Sequence, residues 1–160
     1  MNRTYLSFLV YGQYFAVDVV KVLEVLQKQN IVQVPNAPAY VKGIINFRGE
    51  IVPVFDLRSK FNFPENDAKS SFVIIVLDLS GQNGSFRIGA IADKVKDVIT
   101  IDDNAIKPVP QMSEKFNTEF LQGIFKIDDS FILLLNVDKV FSNAETPDIQ
   151  NVQEKEVTNL

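Results

Sequence analysis

The chain has 160 residues, of which 46% are hydrophobic and 22% are charged, and its net charge is −4, a balance that suits one globular domain or two small lobes sharing a core. It contains no cysteine and no histidine, which excludes disulfides, thiolate nucleophiles and metal sites built on Cys or His. The acidic balance argues against nucleic-acid binding. The longest apolar runs are far shorter than the roughly 20 residues that cross a bilayer, and no N-terminal signal is expected.

Short runs rich in Val, Ile and Phe alternate with turn residues along the whole chain, and this pattern predicts strands. Their regular spacing is typical of barrels or sandwiches and not of a parallel α/β sheet. Hairpin turns are predicted at Gly12-Gln13, Arg48-Gly49, Gly81–Gly84 and Asp128-Asp129. The predicted strands are Tyr5–Tyr11, Tyr14–Val19, Val22–Leu26, Ile44–Phe47, Ile51–Leu57, Phe72–Leu79, Phe86–Ala92, Val95–Ile101, Gly123–Ile127 and Phe131–Val137.

Little helix is expected. Asn36–Val41 can form one turn with a proline near its start, and Ser113–Leu121 is predicted as a short helix with a serine N-cap. Val19–Leu26 fits either periodicity and is interpreted as mainly strand. Pro53 inside a strand favours an edge or a bulge.

The second half of the chain resembles the first. Residues 42–57 align with 122–137 at an offset of 80, with Gly43-Ile44 matching Gly123-Ile124 and a turn at the same place in each copy. Two further matches lie in the same order: Lys21–Val25 with Lys94–Val98, and Ile31–Pro35 with Ile106–Pro110. Such collinear matches favour an internal duplication. It predicts two similar small β-barrels with a groove between them.

The repeats span about 14–61 and 87–141, within one domain at residues 1–142. Residues 143–160 are polar and lack aromatic side chains. From Glu145 onward they carry four acids and one lysine. This stretch is therefore predicted to be a solvated, flexible acidic tail.

Catalytic patterns are not evident in the sequence. Gly81–Gly84 lacks the lysine and the strand–helix context of a phosphate loop, so it is interpreted as a turn. The acidic pairs Asp102-Asp103 and Asp128-Asp129 sit where turns are expected. Ser70 and Ser71 have no histidine to activate them. A carboxylate-only enzyme remains a formal alternative, because two acids in one cleft cannot be recognised from sequence.

The most informative segment is Gly43-Ile-Ile-Asn-Phe-Arg-Gly-Glu-Ile-Val-Pro-Val-Phe-Asp-Leu-Arg58. It resembles the core motif of the CheW family, with Phe47 where leucine is usual. The resemblance extends over about residues 5–141 through Phe15–Val25, Ile91–Val98, Ile106–Pro110 and Phe120–Ile124. A chance match of that order and spacing is improbable.

This resemblance implies an all-β fold of two similar five-stranded SH3-like β-barrel subdomains packed together, with no catalysis and no cofactor. It implies a cytoplasmic adaptor that joins the cytoplasmic tip of chemoreceptors to the regulatory domain of the histidine kinase CheA, without inserting into the membrane itself. By position in the wider resemblance, the implied candidate coupling residues are Val22, Glu24, Gly43, Arg48 and Val98. The structural alternative is fold maintenance for Val22, Gly43 and Val98, and a solvated surface charge for Glu24 and Arg48.

Two other functions stay open on the sequence. The first is a CheW-like adaptor of a different chemosensory pathway, for example one that governs pilus motility. The second is an unrelated small β-barrel that binds another partner, including nucleic acid, which the acidic charge disfavours. A fusion to a receiver domain and a fragment of the kinase are not expected from this chain.

Overall fold

The computed structural model describes residues 1–27, 29–65, 70–81, 84–110 and 118–141. Ten strands account for most of this part of the chain, together with two four-residue helical turns and two 3₁₀ turns, Val19–Lys21 and Asp103–Ala105. The helical turns are α1 (Leu57–Lys60) and α2 (Val137–Val140). The strands are β1 (Asn2–Val10), β2 (Gln13–Asp18), β3 (Val22–Gln27), β4 (Val41–Phe47), β5 (Glu50–Asp56), β6 (Val73–Gly81), β7 (Gly84–Ala92), β8 (Lys94–Asp102), β9 (Leu121–Ile127) and β10 (Ser130–Leu135).

The strands form two five-stranded sheets of matching topology. Sheet A has the order β8-β1-β2-β10-β9, and sheet B has the order β3-β6-β7-β5-β4. In each sheet one parallel pair joins two antiparallel units, β2 with β10 in sheet A and β7 with β5 in sheet B. The predicted all-β class, the two similar five-stranded units and the scarcity of helix are confirmed.

Sheet B is a continuous stretch of chain inserted into sheet A. The chain makes β1 and β2 of sheet A, crosses to build all of sheet B between Val22 and Ala92, and then returns to add β8, β9 and β10. Two crossovers therefore connect the sheets: the 3₁₀ turn Val19–Lys21 on the way out, and Asp93 alone on the way back.

Apolar side chains on the inner faces of the strands hold the two sheets together. The largest cluster of buried residues draws on both sheets, including Phe8 and Phe15 from sheet A and Phe55 and Ile75 from sheet B. A second cluster lies within sheet B, around Val52 and Ile74, and a third within sheet A, around Tyr5 and Leu134. Burial of each large side chain contributes about 1.5–3 kcal/mol, so the shared cluster is the main source of cohesion between the sheets.

The matches at the offset of 80 residues recur as matching backbone contacts. Asp56 N donates to Tyr40 O at 2.8 Å, and Asn136 N donates to Phe120 O at 2.8 Å. The bridge between Val32 and Ile44 has its counterpart between Lys107 and Ile124. These paired contacts are what a duplicated unit produces, while the limits of the two repeats stay a prediction.

Several local predictions are corrected by the structure. Asn36–Val41 is not helical, because a turn closed by Val41 N on Pro38 O at 2.9 Å leads directly into β4. Leu57 and Val137, predicted as strand ends, begin α1 and α2. Val19–Lys21 forms a 3₁₀ turn before the strand at Val22, so the interpretation of this segment as mainly strand is confirmed from Val22 onward.

Pro53 does not mark an edge strand, since β5 lies between β7 and β4. Its missing N–H is tolerated because pairing of β5 with β7 begins only at Val54. The turn predicted at Gly12-Gln13 lies one residue earlier, at Tyr11-Gly12. The acidic tail and most of the helix predicted at Ser113–Leu121 lie outside the described residues, and Leu121 itself starts β9.

Candidate protein-interaction surface

Arg48 projects from the tip of the β4–β5 hairpin. Phe47 pairs with Glu50, which leaves a two-residue turn in which Arg48 has φ 52° and Gly49 has φ 84°. Two left-handed residues suit the twist of a tight hairpin, and Asn46 Oδ1 accepts a hydrogen bond from Gly49 N at 2.8 Å. The turn therefore presents a long cation whose side chain is 66% exposed.

Arg48 meets Glu24, although the two residues belong to opposite edges of sheet B. The Arg48 guanidinium lies 3.6 Å from the Glu24 carboxylate and 4.7 Å from the centre of the Phe47 ring. Sheet B is thus coiled strongly enough to bring β3 towards the β4–β5 turn. An ion pair this exposed contributes less than about 1 kcal/mol to stability, so its charges are available to a partner.

Gly43 lies buried in β4 and is required for packing. Its φ is +145°, and a Cβ atom placed there would lie 2.1 Å from the backbone oxygen of Val32. Backbone atoms cannot move aside as side chains can, so any larger residue would displace the segment that covers β4. This geometry supports fold maintenance as the role of Gly43, while a direct part in coupling stays a prediction.

The two valine candidates differ in their burial. Val22, the first residue of β3, is half-buried and packs against the cluster shared by both sheets. Val98 lies on β8, the edge strand of sheet A, and is 64% exposed. Fold maintenance explains Val22 well but does not explain Val98, because an exposed valine adds little to a core.

The structure brings only part of the candidate set together. Glu24 and Arg48 are in contact, Val22 shares β3 with Glu24, and Gly43 shares the hairpin of Arg48. Val98 lies on the other sheet. The candidates therefore extend over the edges of both sheets.

Sequence reasoning missed two other exposed apolar residues of the same region. Val20, in the outgoing crossover, is 81% exposed, and Val25, on β3, is 36% exposed. Alternation along β2 gave no signal for Val20, because Ala16 on the opposite face is also buried and Val19–Lys21 forms a 3₁₀ turn. Val25 carried no such signal, because a register shift between Val22 and Glu24 breaks the alternation of β3.

An apolar groove of about 560 Å³ opens elsewhere on the molecule. Its described lining is dominated by Phe15, Phe61, Phe63, Phe120 and Leu133. Phe61 stacks on Phe15 at 5.3 Å and on Phe120 at 5.9 Å. The lining also includes Lys60, Glu119 and Lys139, so the groove combines apolar and charged side chains.

The described residues contain no cluster of three His, Cys, Asp or Glu side chains that could hold a metal ion. The predicted turn role of two acidic residues is also seen: Asp102 accepts a hydrogen bond from Asn104 N at 2.9 Å at the start of a 3₁₀ turn, and Asp128 lies in the β9–β10 turn. No helix in the described part of the chain has the length and apolar character needed to cross a membrane.

Comparison with known proteins identifies the family. The CheW-like domain matches residues 4–145. The chemotaxis protein CheW of Rhizobium meliloti is 31% identical over 144 residues, which cover 90% of each chain. The chemotaxis protein CheW of Klebsiella aerogenes is 29% identical over 152 residues, which cover 95% of this chain and 89% of the relative.

The same fold is found in a solved structure. The crystal structure of the scaffolding protein TtCheW from Thermoanaerobacter tengcongensis superposes with a TM-score of 0.77 at 32% identity, covering 91% of this chain and 96% of the other. The predicted resemblance is thereby confirmed by sequence and by structure. The chain belongs to the CheW-like family of chemotaxis scaffolding proteins, which act as adaptors and not as enzymes.

Proposed function

We propose that this protein couples chemoreceptors to the histidine kinase CheA, by binding the cytoplasmic tip of the receptors and the regulatory domain of the kinase. The observation that carries the proposal is a set of exposed residues at the edges of the two sheets, made of apolar valines on both sheets and an ion pair on sheet B. Val20, Val25 and Val98 are exposed there, and Glu24 pairs with Arg48. Neither the valines nor the pair is needed for the core.

The valines suit a helical partner. A receptor tip is a hairpin of helices, and a helix can lay its apolar face against exposed apolar strand residues. Val98 on the edge of sheet A and Val25 on the edge of sheet B each provide such a contact on a separate sheet, without exposing the core. Binding of this kind is driven mainly by removal of apolar surface from water.

The ion pair suits a role in orientation. Charged groups at the rim of an interface set the rate of association and the register more than the affinity. Arg48 is held at a hairpin tip by a rigid turn and is 66% exposed. It can therefore exchange Glu24 for a partner carboxylate without disturbing sheet B.

In this proposal the protein works in the cytoplasm and reaches the membrane only through receptor arrays. It needs no cofactor, because its effect on the kinase arises from contact alone. A CheW-like adaptor of another chemosensory pathway would present the same kind of surface, so the receptor and kinase have to be identified experimentally.

The test is autophosphorylation of the cognate CheA with receptor-bearing membranes, with and without this protein. We expect kinase activity to rise strongly only when all three components are present and to fall when attractant is added. A folded protein that leaves the kinase unaffected, with receptors and CheA of each chemosensory pathway of its source organism, would refute the proposal.

A further inference from the structure

Arg58, the second residue of α1, is held in one orientation by several independent contacts. Its Nε donates to Asp93 Oδ1 at 2.9 Å, and its Nη2 donates to Asp93 Oδ2 at 2.6 Å. Its Nη1 donates to Pro64 O at 3.1 Å, and its backbone N–H donates to Asp56 Oδ1 at 3.0 Å. The two parallel bonds to one carboxylate form a bidentate pair, which fixes angle as well as distance.

Asp93 connects this pair to sheet A. It is the one residue of the return crossover, between β7 of sheet B and β8 of sheet A. Its Oδ2 also accepts a hydrogen bond from Tyr11 N at 2.9 Å, and its own N–H donates to Leu9 O at 2.8 Å. The Arg58 guanidinium lies 5.3 Å from the centre of the Tyr11 ring. One carboxylate therefore joins α1 to the β1–β2 turn.

The outgoing crossover carries a related but weaker pair. Lys21 Nζ lies 3.0 Å from Asp138 Oδ2, which places an ion pair between the 3₁₀ turn and α2. Asp138 occupies the position of Arg58 at the offset of 80 residues, so the signs of the two pairs are reversed. The side chains of Lys21 and Asp138 are 30% and 32% exposed, against 14% and 22% for Arg58 and Asp93.

Burial and hydrogen bonding make the Arg58 pair the stronger of the two. An ion pair that is partly shielded from water is less weakened by salt than an exposed one. Hydrogen bonds to Asp93, followed by its charge, raise the pKa of the Arg58 guanidinium above its ordinary value despite the opposing effect of burial. The Arg58 guanidinium therefore keeps its positive charge at neutral pH, where it can hold this bidentate contact.

The apolar core between the sheets supplies most of the cohesion between them. Hydrophobic contact is non-directional, whereas a bidentate pair permits one geometry. We propose that Arg58 and Asp93 are positioning residues that lock the return crossover and thereby fix the placement of sheet A relative to sheet B.

The effect of this lock on signalling rests on the proposed function. Val98 lies on sheet A, while Glu24 and Arg48 lie on sheet B. An adaptor that uses both sheets has to keep their spacing fixed if a change at one partner is to reach the other. Loosening the lock leaves each single surface intact but breaks transmission between them.

The direct test is a distance measurement between the sheets. The chain has no cysteine, so spin labels at Gln27→Cys in sheet B and Lys126→Cys in sheet A are unique. Both positions are exposed. We expect a narrow distance distribution in the parent, and a distribution about twice as broad in Arg58→Lys, which keeps the charge but loses the fork.

Two further variants make the measurement decisive. Asp93→Asn keeps the shape of the side chain and removes the charge, so it tests the pair even if Arg58→Lys folds poorly. Lys21→Met removes the weaker pair and is expected to broaden the distribution less than either. Unchanged distributions in both Arg58→Lys and Asp93→Asn would overturn the inference.

The functional readout separates positioning from contact. In Asp93→Asn we expect binding to receptor alone and to CheA alone to stay within about twofold of the parent, and kinase activation in the three-component mixture to fall about tenfold. Loss of binding to a single partner, or full activation despite broadened distances, would contradict the positioning role. The distance measurement needs neither partner, so it tests the lock even if the parent fails to activate the kinase.

Discussion

The β4–β5 and β9–β10 hairpins share one backbone and carry different side chains. Each has a two-residue turn that begins with a residue at φ 52°, Arg48 in the first and Asp128 in the second. Each is also followed by a four-residue helical turn, α1 or α2. The fold therefore requires the shape of this unit but not the chemistry of its tip.

The difference between the two hairpins shows which features of the first one the fold does not require. Only the first copy has a cation at its tip, paired with Glu24, and only the first has a helical turn capped by an aspartate side chain. In the second copy, Asp128 and Asp129 form the hairpin turn. Asn136 precedes the helical turn α2 and makes no side-chain cap bond. The CheW motif is thus concentrated where coupling and positioning are proposed.

The largest effect on stability is expected at the glycine that opens each hairpin. Gly43→Ala forces a Cβ to 2.1 Å from Val32 O at φ +145°, while Gly123→Ala brings it to 2.4 Å from Ile106 Cγ2, a side-chain methyl that can shift. We expect Gly43→Ala to lower the free energy of unfolding by about 3 kcal/mol or more, and Gly123→Ala to lower it by about 1–2 kcal/mol. Urea denaturation measures both, and equal losses would show that the two glycines are interchangeable.

A smaller effect is expected at the residue that precedes each helical turn. Asp56 is 5% exposed, caps Arg58 N and lies 3.7 Å from Lys42 Nζ. Asp56→Ala should cost about 1–2 kcal/mol, since an N-cap is lost, and Asn136→Ala should stay within about 0.5 kcal/mol. Thermal unfolding of the two variants checks the difference, and a costly Asn136→Ala would reveal an unsuspected role for that side chain.

The smallest effect on stability is expected at the two hairpin tips. The largest effect on signalling is expected at the first of them, at Arg48. Arg48→Glu breaks an exposed pair and should cost less than about 1 kcal/mol, but it should lower kinase activation about tenfold, equivalent to about 1.4 kcal/mol of contact energy. Asp128→Lys is the matched control at the same backbone position and should leave activation unchanged.

Both tip variants can be compared in the reconstituted kinase assay, with melting temperatures recorded in parallel. A large loss of thermal stability in Arg48→Glu would count against a surface role for Arg48. Equal loss of activation in Arg48→Glu and Asp128→Lys would remove the distinction between the two hairpins.

The strands were predictable from sequence because alternation of apolar residues is a local signal. All ten predicted strands are present, from the first at Asn2–Val10 to the last at Ser130–Leu135. The helical turns α1 and α2 were not predicted, since four residues carry too little periodicity to distinguish them from strand ends. The repeat at an offset of 80 residues was also visible in the sequence, so the equivalence of the two hairpins could be predicted without the structure.

Contacts between distant segments were beyond sequence reasoning. The pairing of Glu24 with Arg48 depends on the coiling of sheet B, and the pairing of Arg58 with Asp93 depends on where the chain crosses between sheets. The sequence named Glu24 and Arg48 as separate candidates but did not predict that they pair, and it gave Arg58 no partner, because pairing between distant segments is set by topology and not by spacing along the chain. The assignment of Val22, Glu24, Gly43, Arg48 and Val98 to coupling stays a prediction.

The insertion of sheet B into sheet A also determines which sheet can form first while the chain is being synthesised. All five strands of sheet B lie between Val22 and Ala92, so they can pair as soon as that stretch has left the ribosome. β1 and β2 are made first, but their partners β8 and β10 end at Asp102 and Leu135. The oldest hairpin of the nascent chain is therefore the last to gain its full set of neighbours, and its apolar residues depend on sheet B for cover until then.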